Sequence, residues 1–137
     1  MQKVMDYKIL VADDDPDILR ITEHLLKKEG YTVRTAANGR ECLHAIHENK
    51  PDLLLLDVIL PDISGVDICQ TIKRDPGFSQ VYILLHSGMN TKSEEISEGL
   101  EHGADGYLVK PVSNRELLAR VEAACRIIRA ERTLSEL

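Results

Sequence analysis

The sequence predicts an α/β fold of the doubly wound kind, a five-stranded parallel sheet with helices on both faces. Two patterns predict it. Short runs rich in Val, Ile and Leu alternate with amphipathic stretches of helical period, and five such pairs can be counted. Three of the runs are apolar on both faces, and strands buried on both sides need helices on both sides. At 137 residues, 43% apolar and 29% charged, the chain is sized for one globular domain with a substantial core and no second one.

The expected strands are Tyr7–Ala12, Thr32–Ala36, Leu53–Asp57, Val81–His86 and Gly106–Val109. The first helix starts where Asp15 can cap it ahead of Pro16, a proline suited to the first helical position. Ile18, Ile21 and Leu25 then repeat on one face as far as about Glu29, and Gly30 stops the helix. A second helix, from about Gly39 to Asn49, turns Leu43 and Ile46 inward and ends before Lys50-Pro51, because the residue before proline resists helical geometry. The third spans roughly Ser64 to Arg74. The fourth opens on Thr91-Lys92-Ser93-Glu94, a capping box, but offers only Ile96 and Leu100 as a stripe and is expected to be the most loosely held. The fifth opens on a second box, Ser113-Asn114-Arg115-Glu116, and runs through Leu117, Val121, Ala124 and Ile128 toward Leu134. It is longer than the fold needs, and the polar tail after Ile128 reads as helix leaving the domain.

Composition narrows the function classes. Seventeen basic against 23 acidic residues give a net charge of −6, a poor surface for phosphate backbones, so direct nucleic-acid binding is not expected. No apolar run approaches the roughly 18 residues needed to cross a bilayer, and Met1 to Lys8 lacks the apolar segment of a secretory signal. Cys42, Cys69 and Cys125 are odd in number, far apart and set in apolar helical patterns, as buried thiols of a reducing compartment would be. A cytoplasmic location follows as the expectation.

In an open parallel sheet, ligands collect at the carboxyl ends of the strands. Here those ends are acidic: Asp13, Asp14 and Asp15 after the first, Asp57 after the third, with Ser87 after the fourth and Lys110 after the fifth. Several carboxylates this close repel, so the cluster needs a cation or protons. Oxygen-only ligands in a shallow site favour Mg²⁺ that retains waters. Taken singly, each of these residues has an ordinary explanation: Asp57 and Asp15 as helix or turn caps, Lys110 as a loop lysine. His86 beside Ser87 reads as a packed or solvated side chain, and His24, His44, His47 and His102 as surface residues.

Three motifs together are far more specific. Ile9-Leu10-Val11-Ala12-Asp13-Asp14-Asp15-Pro16, Leu56-Asp57-Val58-Ile59-Leu60-Pro61-Asp62-Ile63-Ser64-Gly65 and Gly103-Ala104-Asp105-Gly106-Tyr107-Leu108-Val109-Lys110-Pro111 resemble, in order and spacing, the receiver domains of two-component response regulators. The resemblance covers about Tyr7 to Ile128. It implies the flavodoxin-like strand order 2-1-3-4-5, a receiver domain over residues 1–128 and a helical extension or linker over 129–137.

The resemblance also implies roles. Asp57 matches the aspartate that takes a phosphoryl group from a phosphohistidine on a sensor histidine kinase or histidine phosphotransfer protein. Asp14 matches the direct Mg²⁺ ligand, Asp13 its neighbour acting mostly through water, and Ile59 the position lending a backbone carbonyl. Ser87 and Lys110 match the hydroxyl and ammonium that meet the phosphoryl oxygens, and Gly88 leaves room for them. Tyr107 matches the aromatic that turns inward on activation, with Ser87 its partner in the switch. Pro111 matches a position where a cis peptide is usual. The output would be protein contact through the face formed by the fourth helix, fifth strand and fifth helix, with a downstream protein or a second copy of the chain.

Two features depart from the family's usual pattern. His86 stands where an aliphatic residue is usual, and the Ser87 to Lys110 interval is one residue longer than the commonest spacing. Ile59 and, across that longer interval, Met89 put apolar side chains where polar ones can place a hydrolytic water, so a long-lived phosphorylated state is expected. The alternative reading is a Mg²⁺-dependent phosphatase with an aspartyl nucleophile. Such an enzyme wants an acidic residue two positions after the nucleophile, where this chain has Ile59.

Overall fold

The computed structural model describes residues 6–88 and 93–136. Its elements run β1 Lys8–Ala12, α1 Pro16–Lys28, β2 Thr32–Ala36, α2 Gly39–Glu48, β3 Leu53–Asp57, α3 Gly65–Arg74, β4 Tyr82–Ser87, α4 Ser93–Glu101, β5 Gly106–Val109 and α5 Asn114–Glu136. All strand pairs are parallel and the order is β2-β1-β3-β4-β5. The central β3, Leu-Leu-Leu-Leu-Asp, is buried throughout, and each wholly buried leucine contributes about 2 kcal/mol.

Alternation along the strands divides the core in two. Leu54, Leu56, Ile83 and Leu85 pack with Cys42, Ile46, Ile68 and Ile72 of α2 and α3, while Leu53, Leu55, Leu84 and Leu108 pack with Leu26 of α1 and Leu117, Val121 and Ile128 of α5. The three cysteines are free and buried. Among the described residues no helix is long and apolar enough to cross a membrane.

Asp15 caps α1 as its position before Pro16 predicts, accepting from the N–H groups of Asp17 and Ile18. The inward face of α1 differs from the expected one. Thr22 and Leu26 are buried, with Leu19 and Leu25 packed beside them, and Ile21 is exposed. Two stripes one residue apart both carry apolar side chains, and a threonine in the buried one disguises it. On α2 the buried residues are Cys42 and Ile46, with Leu43 only partly covered.

The weak stripe of α4 has a structural counterpart. Gly99 is its buried residue, Leu100 is exposed, and a Cβ at position 99 would collide with the Leu85 side chain. This helix lies against the sheet through a glycine, so little apolar area holds it. Thr91 and Lys92 of its predicted capping box lie outside the described residues. In α5, Ser113 Oγ accepts from the Glu116 N–H at 3.0 Å, as its box requires. The helix continues to Glu136, and the part beyond Ile128 is tied back: the Arg132 guanidinium pairs with Asp52 and lies over the Tyr7 ring at 6.0 Å.

Candidate functional site

The strand order reverses between β1 and β3, because β1 leads outward to β2 while β3 leads to β4 on the other side. A crevice opens at the carboxyl ends of these two neighbours. Asp13, just past β1, and Asp57, the last residue of β3, flank it and are buried; Asp14 beside them is exposed. One carboxylate oxygen from each of the three lies within 4.8 Å of the others. Lys110, just past β5 and joined to Pro111 by a cis peptide, reaches in from the side. Its Nζ is 2.6 Å from Asp13 Oδ2 and 3.3 Å from Asp57 Oδ2.

The remaining carboxylate oxygens are anchored by the backbone. Asp13 Oδ1 accepts the Asp15 N–H at 2.9 Å, and Asp57 Oδ1 accepts the Ile59 N–H at 3.1 Å. Ser87, at the end of β4, is fully buried and donates its hydroxyl to the Leu108 carbonyl at 3.2 Å. Tyr107 is 41% exposed. At Gly88 an added Cβ would meet no atom of the described residues within 4 Å. The fold thus brings Asp13, Asp14, Asp57, Ile59 and Lys110 to one crevice, with Ser87 at its wall turned toward β5. Met89 lies outside the described residues.

Burial pushes the Asp57 carboxyl up to about 6; the Asp13 charge adds to this, while the Lys110 ammonium and the Ile59 N–H oppose it. Burial alone would lower the Lys110 pKa, but its hydrogen bond to Asp13 and the charges of Asp57 and Asp13 outweigh that and raise it. The need of the carboxylate cluster for a cation is therefore met in part by an ammonium from the chain itself. A hard divalent ion fits the same place, since the donors are all oxygen, converge within one coordination sphere and are short of positive charge.

Three further residues shape the site in ways the sequence does not reveal. Asp62 accepts from the Gly39 N–H at 2.8 Å and the Arg40 N–H at 3.0 Å, bonds that hold its carboxyl below the usual range and fasten the loop after Asp57 to the start of α2. Gly65 closes that loop: its N–H donates to the Val58 carbonyl at 2.8 Å, and a Cβ there would lie 2.8 Å from Val58 Cα. His86 pairs in register with Asp57 and is packed rather than solvated. Its Nε2 has no hydrogen-bond partner among the described residues, and burial together with the nearby Lys110 charge brings the ring from its ordinary 6.5 to about 4. His24, His44 and His47 are exposed and His102 is half-buried.

The family model of the response regulator receiver domain matches residues 9–122. The chain belongs to this family. It is a receiver of two-component phosphorelay signalling, and its relatives are transcriptional response regulators. The DNA-binding response regulator MtrA of Mycolicibacterium smegmatis is 38% identical over 122 residues, covering 89% of this chain and 52% of the relative. The alkaline phosphatase synthesis transcriptional regulatory protein PhoP of Bacillus subtilis is 40% identical over 124 residues, covering 89% of this chain and 50% of the relative. The chain thus spans about half the length of the curated relatives it matches. Among solved structures, the receiver domain protein of Methanospirillum hungatei superposes with a TM-score of 0.85 at 33% identity, covering 93% of this chain and 99% of that one. A response regulator of Chloroflexus aurantiacus gives 0.80 at 37% identity, covering 88% and 98%. The receiver family carries the doubly wound order seen here.

Proposed function

We propose that Asp57 is the phosphoacceptor of this receiver. A carboxylate oxygen of Asp57 attacks the phosphorus of a phosphohistidine on a sensor histidine kinase or histidine phosphotransfer protein; the P–N bond breaks, and the imidazole nitrogen leaves with the electron pair. The observation that carries this reading is the placement of Asp57: buried at the tip of β3, its Oδ1 held by the Ile59 N–H and its Oδ2 by Lys110. With its carboxyl at about 6, Asp57 is ionised at neutral pH and little hydrated, as a nucleophile should be.

Asp13, Asp14, Asp57 and the Ile59 carbonyl would hold Mg²⁺, which when bound neutralises charge on the phosphoryl oxygens. Lys110 does the same from the other side. Ser87 has to give up its bond to Leu108 to reach a phosphoryl group, and that movement opens space toward which exposed Tyr107 can turn. Loosely held α4 adjusts with it, and the α4-β5-α5 face engages a downstream protein in the cytoplasm. The domain turns over no substrate beyond its own phosphorylation and dephosphorylation, because Ile59 puts a hydrocarbon where a phosphatase needs an acid.

Incubation with Mg²⁺ and acetyl phosphate tests the reading. Intact-mass analysis should show one phosphoryl adduct, lost in Asp57→Asn and retained in Asp62→Asn. A full adduct on Asp57→Asn would place the acceptor elsewhere.

A further inference from the structure

α5 carries two apolar faces, and the chain uses one of them. Leu117, Val121, Cys125 and Ile128 pack onto the sheet, and Arg132 extends that side to Asp52 and Tyr7. About 150° round the helix, nearly opposite the packed face, stands a second row: Ala123, Ile127, Ala130 and Leu134, with Leu137 continuing the spacing in the sequence beyond the described residues. Ile127 is 44% and Leu134 is 69% exposed. The steps between these residues alternate four, three, four and three, which is the period of about 3.5 that keeps a seam facing a partner helix.

We propose that this row is the seam of a parallel coiled coil with a second copy of the chain. The charges beside it select that occupant. With Ile127 and Leu134 at a positions and Ala123 and Ala130 at d, Arg126 falls at g and Glu131 at the following e. In a parallel pair, g of one helix lies against the following e of the other, so Arg126 faces Glu131 of the partner subunit, and by symmetry the contact occurs twice. An antiparallel pair centred on Ala130 would instead bring Glu131 against Glu131 of the partner subunit. In the single chain Arg126 sits 3.7 Å from exposed Glu122, a weak pair that is readily exchanged. Ile127 at a is also the β-branched choice that favours two strands.

The seam covers about two heptads, too few to hold isolated helices together. Here α5 is already folded by its other face, so association does not have to order it. Small alanines at d let the helices approach closely but bury little area, and the dimer is therefore weak and concentration-dependent. This contact lies on the far part of α5 and does not depend on which residue accepts the phosphoryl group.

Sedimentation equilibrium of the 137-residue chain over a wide concentration series provides the test. The expected result is a monomer–dimer equilibrium that Ile127→Glu or Leu134→Glu weakens by about tenfold or more, with an unchanged Tm because both residues are exposed. Arg126→Glu alone should weaken it, and Arg126→Glu with Glu131→Arg should restore it. Cysteines introduced separately at Ala123 and Ala130 should each form a disulfide with the same position of the second copy under mild oxidation, as only a parallel, in-register pair allows for both. A chain that stays monomeric throughout, or a dimer indifferent to both glutamate substitutions, would overturn the proposal. So would a charge swap that fails to restore association.

Discussion

Lys110 Nζ lies 2.6 Å from Asp13 Oδ2, closer to that buried carboxylate than to Asp57. The lysine thereby joins the ends of β5 and β1 across the intervening strands, and it stands between two acids that would otherwise face each other in a place with little water. Its role in the resting domain is structural.

Lys110→Met should consequently lower stability in chelator-containing buffer by about 3 kcal/mol, the loss typical of stripping a counter-ion from a buried charge. Mg²⁺ should recover more stability for the variant than for the parent, since a divalent ion supplies the missing positive charge. Urea melts with and without Mg²⁺ measure both effects. A variant as stable as the parent without metal would show that Asp13 and Asp57 do not need the ammonium.

Asp13 and Asp14 should separate when each is changed to Asn. Asp14 is exposed, so its loss relieves a little repulsion and should raise metal-free stability by no more than about 0.5 kcal/mol, while Mg²⁺ affinity falls by about tenfold or more. Asp13→Asn removes the shortest partner of Lys110 and should lower metal-free stability instead. Calorimetric Mg²⁺ titration paired with thermal melts distinguishes the two; equal behaviour of both variants would contradict the difference in burial.

The site also predicts a hidden pH dependence in the metal-free domain. Asp57, raised from 3.8 to about 6, favours the protonated folded state, so its contribution to stability is full below 3.8 and is lost as pH rises through about 6. His86, lowered from 6.5 to about 4, favours the neutral folded state, so its contribution is full above 6.5 and is lost as pH falls toward 4. The two act in the same window with opposite sign and largely offset each other. Asp57→Asn should therefore make stability fall by about 2–3 kcal/mol as pH drops from 6.5 to 4, and His86→Leu should make it rise over the same interval. Urea midpoints against pH in both variants provide the check, and slopes of the same sign would refute it.

Much of this was legible in the sequence because strands and caps are local. Asp15 before Pro16, Gly30 after α1 and the alternation of apolar runs each act within a few residues, and the elements fall where those signals place them. Convergence at the strand ends was legible too, since a parallel sheet leaves acidic residues after β1 and β3 only one crevice to share. What escaped depends on contacts distant in the chain. Asp62 looks like any loop acid until Gly39, 23 residues earlier, is brought beneath it. Which of two neighbouring stripes α1 buries is decided by the surfaces it meets, and its own period leaves both open. His86 could be noted only as unusual; its buried nitrogen belongs to a packing arrangement that one-dimensional pattern does not contain.

On the proposed reading of the site, Ile59 bears on how long the phosphorylated state lasts. Its N–H holds Asp57 Oδ1 at 3.1 Å, which fixes the residue beside the proposed acceptor, while the residue is 52% exposed and does not fill the core. Hydrolysis of an aspartyl phosphate needs a water in line with phosphorus, and a polar group at this edge of the site can orient or deprotonate one. A branched hydrocarbon can do neither, and it excludes water from the approach. Ile59→Asn and Ile59→Glu should therefore speed phosphate loss by about tenfold, below the range that well-positioned acid–base groups supply. Because the residue is half in solvent, neither substitution should cost more than about 0.5 kcal/mol of stability, so a change in rate reports on the chemistry. Single-turnover decay of the purified phosphoprotein measures it, with the release of inorganic phosphate as the readout. If both variants decay at the parent rate, the slow step lies with the charges of Lys110 and the metal site rather than with access of water past residue 59.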